Sequence, residues 1–102
     1  MDGFTLIADP TRRAILDRLR AEEADVGQLV TLLRLPQPLV SKHLRALREA
    51  GAVTSAVAGR RRVYRLGTDP VPDVLAWVRP YHELWSRSFE RLARALDEEG
   101  TR

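Results

Sequence analysis

Between Leu33 and Pro38 the chain has almost no room to turn. Upstream, "VGQLVTLLR" carries Val26, Leu29, Val30 and Leu33 at helical spacing. Downstream, "LPQPLVSKHLRALREAG" places Val40, Leu44 and Leu47 on one face of a second helix. Only Arg34 to Gln37 lie between them. Two helices joined by so short a turn should cross steeply, as in a helix-turn-helix, with both apolar stripes facing a shared core. Pro36 and Pro38 are compatible with a helix start, because first-turn N–H groups have no intrahelical acceptor. Gly51 supplies a left-handed C-cap for the second helix.

The flanking segments fit around that corner. Residues 4–8 read as a short apolar lead-in. Asp9 followed by Pro10 reads as an N-cap and a first helical residue, opening a helix to about Arg20 with Ile15, Leu16 and Leu19 inward. "AEEAD" is a polar connection, with Asp25 as the next cap. Beyond Gly51, "AVTSAVAGRRRVYRLG" alternates as two strands, with Ala58-Gly59-Arg60 as the turn and Gly59 supplying positive φ. A lone hairpin is marginal in water, so this one must lean on the helices. The expected fold class is mainly α with a small β-hairpin. It forms one domain over residues 1–102, with the helix-turn-helix and wing over 9–66 and a C-terminal helix over 73–99.

Charge is unevenly spread. From Arg34 to Arg65 there are eight basic residues against one acid, Glu49, so that window carries +7 while the chain as a whole carries +3. The remainder is mildly acidic. Such a separation concentrates anions at one face. With no cysteine, disulfides, thiolate metal sites and Cys nucleophiles are excluded. No apolar run reaches the length of a membrane span and no signal pattern opens the chain, so the expected address is the cytoplasm. No nucleophile–base set, carboxylate pair, phosphate loop or metal triad is visible, so neither an enzyme nor a cofactor is expected.

The segments "ADPTRRAILDRL", "LPQPLVSKHLRALREAGAV" and "GRRRVYRL", in that order and spacing, resemble the ArsR-type family of bacterial winged helix-turn-helix transcriptional repressors. The resemblance runs from about Ala8 to Leu66, and "WVRPYHELWSRSFERLARAL" is similar to the C-terminal helix of a metal-independent branch. It implies a homodimer on double-stranded operator DNA, with the helix after the turn (about 38–50) in the major groove. The wing (about 53–66) would reach the flanking backbone or minor groove. The pattern departs from the family at Pro36 and Leu39, where a hydroxyl residue is more usual.

On the recognition helix, Gln37, Ser41 and Lys42 are polar, lie in the N-terminal half and avoid the apolar stripe, which is where side chains reach base edges. Pro38 shares that arc. Arg45 is further along and suits a phosphate. His43 sits beside the apolar face; a half-buried histidine with a local hydrogen bond and a DNA contact both stay open there. On the wing, Arg60 and one of Arg61 and Arg62 should meet DNA. Arg12 and Arg13 either touch phosphate or pair with Asp9 or Asp17.

The C-terminal run Val74, Val78, Tyr81, Trp85, Ser88 and Leu92 steps close to a heptad seam, with Phe89 adjoining and Pro80 expected to kink it or divide it. It should pair with its twofold mate, so the expected dimer interface comprises Phe4, Ile7, Val78, Tyr81, Trp85, Phe89 and Leu92. His82 with Glu83 makes an incomplete metal set, since adjacent helical residues diverge. No metal is expected, and nothing in the sequence names a small-molecule effector. A winged helix that binds protein or RNA, without operator preference, is the alternative.

Overall fold

In the computed structural model, which describes residues 1–68 and 71–100, Asp9 serves two helices at once. Its backbone closes α1 (Gly3–Ala8). Its carboxylate accepts the N–H groups of Thr11 at 2.8 Å and Arg12 at 3.1 Å, opening α2 (Pro10–Ala21) with Pro10 in the first turn. The segment expected as a lead-in is therefore a helix. Asp2 caps it, accepting from the Thr5 N–H at 2.7 Å. Six residues are too few for a 3.6-residue period to show itself, which explains why the pattern does not reveal it.

The next helix, α3 (Val26–Leu33), opens with a reciprocal box: Gln28 N–H donates to Asp25 Oδ1 at 2.8 Å, and Asp25 N–H donates to Gln28 Oε1 at 2.9 Å. It closes on Arg34, which takes the left-handed conformation (φ 57°, ψ 44°) and donates its N–H to Val30 O at 2.9 Å. The helix after the turn, α4 (Gln37–Glu49), has Pro36 as its N-cap and no side-chain cap. The missing cap costs little. Pro38 has no N–H, and the N–H groups of Leu39 and Val40 both reach Pro36 O at 3.1 Å. Of the orphan donors in the first three positions, Gln37 N–H alone is left to solvent or a ligand.

Leu29 of α3 and Val40, Leu44 and Leu47 of α4 meet Leu6, Ile15 and Leu19 in one core, joined by Ala24, Ala52 and Val53. Each of these side chains is at most 5 % exposed. Burying each large aliphatic side chain there is worth about 1.5–3 kcal/mol relative to leaving it in water.

After the Gly51 turn (φ 79°), β1 (Val53–Ala58) pairs antiparallel with β2 (Arg61–Leu66) through the loop Gly59-Arg60, Gly59 at φ 66°. The register places Val53, Ser55 and Val57 beside Leu66, Tyr64 and Arg62 on one face. That face turns toward α4. The opposite face, with Arg61, Val63 and Arg65, turns toward the α2–α3 connection. Ala24 of that connection, expected as part of a plain polar loop, is fully buried and exchanges both backbone hydrogen bonds with Tyr64, at 3.1 and 2.8 Å. The hairpin is thus braced by backbone as well as by side chains.

The last helix, α5 (Pro72–Gly100), is continuous, with Pro80 inside it; it is not divided there. It packs on α1. Gly3 N–H donates to Asp73 Oδ2 at 2.9 Å, and a Cβ at Gly3 would collide with that carboxylate and with Val71. Phe4, Trp77, Tyr81 and Trp85 form an aromatic ladder with centroid separations of 6.0, 4.9 and 5.7 Å. Most of the α5 apolar arc stays uncovered. Leu75, Trp77, Tyr81, Leu84, Trp85, Phe89, Leu92 and Leu96 are all exposed.

The left-handed Arg34 yields a test. A side chain with a Cβ in that conformation costs roughly 1–2 kcal/mol, and glycine loses about half of that benefit through its freer unfolded chain. Arg34→Gly should therefore raise stability by about 0.5–1 kcal/mol in urea unfolding. A loss of stability would show that the Arg34 side chain contributes more than its backbone costs.

Candidate nucleic-acid interface

The core-facing side of α4 dictates what its other side offers. With Val40, Leu44 and Leu47 buried, helical geometry turns Gln37, Pro38, Ser41, Lys42 and Arg45 outward, and all five are exposed. They lie in the N-terminal two-thirds of the helix, beside the open Gln37 N–H and the positive end of the helix dipole. Lys42 has no acid partner among the described residues, and Arg45 is paired with Glu49 one turn on, at 3.2 Å. Both partners in that pair are largely exposed, so it contributes little and yields readily to a stronger anion.

Of the two readings open for His43, the geometry favours the buried histidine with a local hydrogen bond over the DNA contact. The residue is 7 % exposed, and its Nδ1 accepts from Arg12 Nε at 3.3 Å. Its place on the wheel, next to Leu39 and Leu47, carries it under the helix and away from the exposed arc, so it is not available to a groove. The same contact changes the reading of Arg12 and Arg13. Arg12 also reaches the carbonyls of Thr5 and Leu6, both at 3.4 Å. Arg13 donates to the carbonyls of Ile7 at 2.8 Å and Ala8 at 3.1 Å. Neither pairs with Asp9 or Asp17 through its side chain; both tie the end of α1 to α2.

On the hairpin, strand alternation separates the three consecutive arginines. Arg60 is exposed at the loop. Arg61 turns toward α3, with Nε 2.8 Å from Asp25 Oδ2 and Nη2 3.1 Å from Gln28 Oε1. Arg62 turns the other way, toward α4, where its Nη1 donates to Ser55 Oγ at 3.1 Å. Arg65, on the Arg61 face, pairs with Glu23 at 3.3 Å. Two carboxylates of the α2–α3 connection therefore anchor one face of the hairpin and set its angle to the helices. The other face borders a cleft of about 440 Å³ lined by Ser41, Leu44, Arg45, Arg48, Glu49 and Tyr64.

Arg48 and Ser55 are absent from the expected set, yet Arg48, which lines this cleft, donates from Nη1 to Ser55 Oγ on β1 at 3.5 Å. The signal that could have found Ser55 is the pairing register: it lies opposite Tyr64 and two pairs from Arg62, on the same face of the hairpin. Among the described residues no group of three His, Cys, Asp or Glu is placed to hold a metal ion, and no helix is long and apolar enough to cross a membrane.

The caps carry the pH dependence. Asp25 is held below the usual carboxylate range, first by the Gln28 N–H and then by Arg61. Asp9 is lowered first by the Arg12 N–H, with the Thr11 N–H and the Arg12 charge adding to it. A depressed carboxylate stabilises the fold fully above its unfolded pKa of about 4 and loses that contribution as pH falls through the lower, folded value. Asp25→Asn should accordingly lower the thermal midpoint at neutral pH, and the gap to wild type should close in acid. A gap that stays constant down to about pH 2 would remove the carboxylate charge from the account.

This arrangement has close counterparts. Residues 9–55 match the family model for bacterial regulatory proteins of the arsR family. The chain is 40 % identical over 99 residues to the HTH-type transcriptional regulator Rv2034 of Mycobacterium tuberculosis, covering 96 % of this chain and 89 % of that protein. Among solved structures, the ArsR family transcriptional regulator RHA00566 superposes with a TM-score of 0.68 at 34 % identity, over 82 % of this chain and 92 % of that one. The homodimeric winged helix-turn-helix DNA-binding domain Mb0332 of Mycobacterium bovis gives a TM-score of 0.64 at 27 % identity, over 79 % and 75 %. These relatives are regulators, not enzymes. With its tight α3–α4 turn, its braced hairpin and this likeness along nearly its whole length, the chain is a member of the ArsR family of winged helix-turn-helix, DNA-binding transcriptional regulators.

Proposed function

We propose that two copies of this chain bind an inverted-repeat operator and repress transcription by occupying it, in the cytoplasm, where the chromosome lies. The observation that carries this reading is the exposed arc of α4. Gln37, Ser41 and Lys42 stand clear of the core on a helix whose seat is rigid, beside a hairpin with its own cationic edge. In the major groove Gln pairs with adenine, Lys with guanine O6 and N7, and Ser with either. Pro38 lies against the same groove wall. Arg45 takes a phosphate with the guanidinium nitrogens that its Nε contact to Glu49 leaves free, while Arg60 and Arg62 approach the backbone beside the wing. Arg61 keeps its partners on α3 and holds the wing at its angle.

Dimerisation is the second part of the proposal. Phe4 and the uncovered side of α5 present Tyr81, Trp85, Phe89 and Leu92 to solvent, with Ile7 and Val78 half-buried at its margin. So large an apolar surface marks an interaction site. A twofold mate seated on it brings two α4 helices to the ~34 Å spacing of successive major grooves. Homodimerisation of the Mycobacterium bovis domain is in keeping with this.

Lys42→Ala should cut affinity for a selected operator duplex while leaving binding to scrambled DNA nearly unchanged, a loss of discrimination of about 1–3 kcal/mol. Equal loss on both duplexes assigns Lys42 to a phosphate. A wild type that prefers neither duplex, or that favours an RNA or a protein, removes the operator reading altogether. For the dimer, Trp85→Ala should shift sedimentation toward monomer at micromolar concentration; an unchanged dimer takes Trp85 out of the interface.

A further inference from the structure

Beside the cleft between α4 and the hairpin, where Arg48 of its lining meets the hairpin, lies an arrangement that the base-reading arc does not use. Ser55 Oγ accepts from two guanidinium groups on different elements, Arg62 Nη1 at 3.1 Å and Arg48 Nη1 at 3.5 Å. Both arginines are exposed, and among the described residues neither forms an ion pair. Their neighbours do: Arg45 with Glu49, Arg61 with Asp25 and Arg65 with Glu23. Glu49 lines the same cleft but is occupied by Arg45. Two positive charges converging on one neutral oxygen repel each other unless an anion joins them. The Ser55 oxygen has two lone pairs, both taken by the arginines, so its O–H remains as a further donor. At Ser55 itself the free polar groups are donors, two of them planar cationic forks, and Glu49 is the one acid lining the adjoining cleft. An oxyanion of phosphate type fits that set.

We propose that Arg48, Ser55 and Arg62 clamp one phosphodiester of the DNA backbone. This rests on the DNA-binding reading above and adds to it the place where the backbone runs. The major and minor grooves of B-DNA are divided by a sugar–phosphate strand. If α4 lies in the major groove and the adjoining hairpin addresses the next groove, that strand must pass between them. The cleft lies between them. A phosphate gripped there fixes how deeply α4 sits and carries no base preference of its own.

Because both arginines hold the same phosphate, their effects on salt dependence should not add. Each phosphate neutralised contributes a slope of about −0.9 to log affinity against log salt. With a duplex recovered by selection from random sequence, Arg48→Gln or Arg62→Gln alone should weaken binding about ten-fold with little change of slope, since one cation remains. The double variant should flatten the slope by about 0.9, and Ser55→Ala should weaken specific and scrambled duplexes alike. Two independent losses summing to about 1.8 in slope, or unchanged affinity while Lys42→Ala still abolishes discrimination, overturn the clamp but leave the operator reading standing. A wild type that binds no duplex overturns the operator reading and the backbone clamp with it. The Arg48 and Arg62 Nε–H resonances then report on inorganic phosphate: saturable movement, absent with chloride and in the double variant, retains a site for free phosphate, and no movement removes the site itself.

Discussion

The direction in which α4 presents its exposed arc depends on how completely its other side is buried. Val40, Leu44 and Leu47 are each no more than 1 % exposed, and they bind α4 to the core shared by α1, α2, α3 and β1. Helical periodicity converts that burial into an orientation. Once three positions are fixed inward, the azimuth of Gln37, Ser41 and Lys42 is no longer free. His43 reinforces the seat from the flank through Arg12, so the polar contact nearest the read-out arc is spent on positioning.

The cationic surface is sorted by the acids within reach. Asp25 and Glu23 take Arg61 and Arg65 on one side of the hairpin, and Glu49 takes Arg45 on α4. Such exposed pairs stabilise the fold by about 0–1 kcal/mol each. Their larger effect is on direction. Arg48, Arg60 and Arg62 have no acid partner among the described residues, so the unneutralised charge collects on the wing face that borders α4 and at the loop. A chain of modest net charge thereby presents a concentrated positive field where a polyanion would lie.

Much of this was legible in the residues alone, and the exceptions have physical causes. Asp9-Pro10, Asp25 with Gln28, and Gly51 and Gly59 are local signals, since a cap or a positive φ acts within a few residues; α2, α3, α4 and the hairpin follow from them. Asp2 is an equally local cap, but six residues after it gave no period to read. Ala24 looks like part of a polar loop because its two hydrogen bonds go to Tyr64, forty residues away. The wheel placed His43 beside the apolar stripe, yet its partner Arg12 lies on another helix. The division of Arg61 from Arg62 required the register, and Pro80 is accommodated inside a continuous helix. In each case the missing information was a partner distant in sequence.

The junction of Gly3 with Asp73 has a consequence for the order of events during synthesis. The hydrogen bond between them closes a loop of 70 residues, and nothing larger than hydrogen fits at the Gly3 α-carbon. The four aromatic rings stacked beside it come from the same two helices. While the ribosome is still extending the wing, α1 can settle on α2 through Leu6, but its other side, with Gly3 and Phe4, has nothing to meet. The α1–α5 junction is thereby the last part of the fold to close, after the helices and the hairpin have emerged.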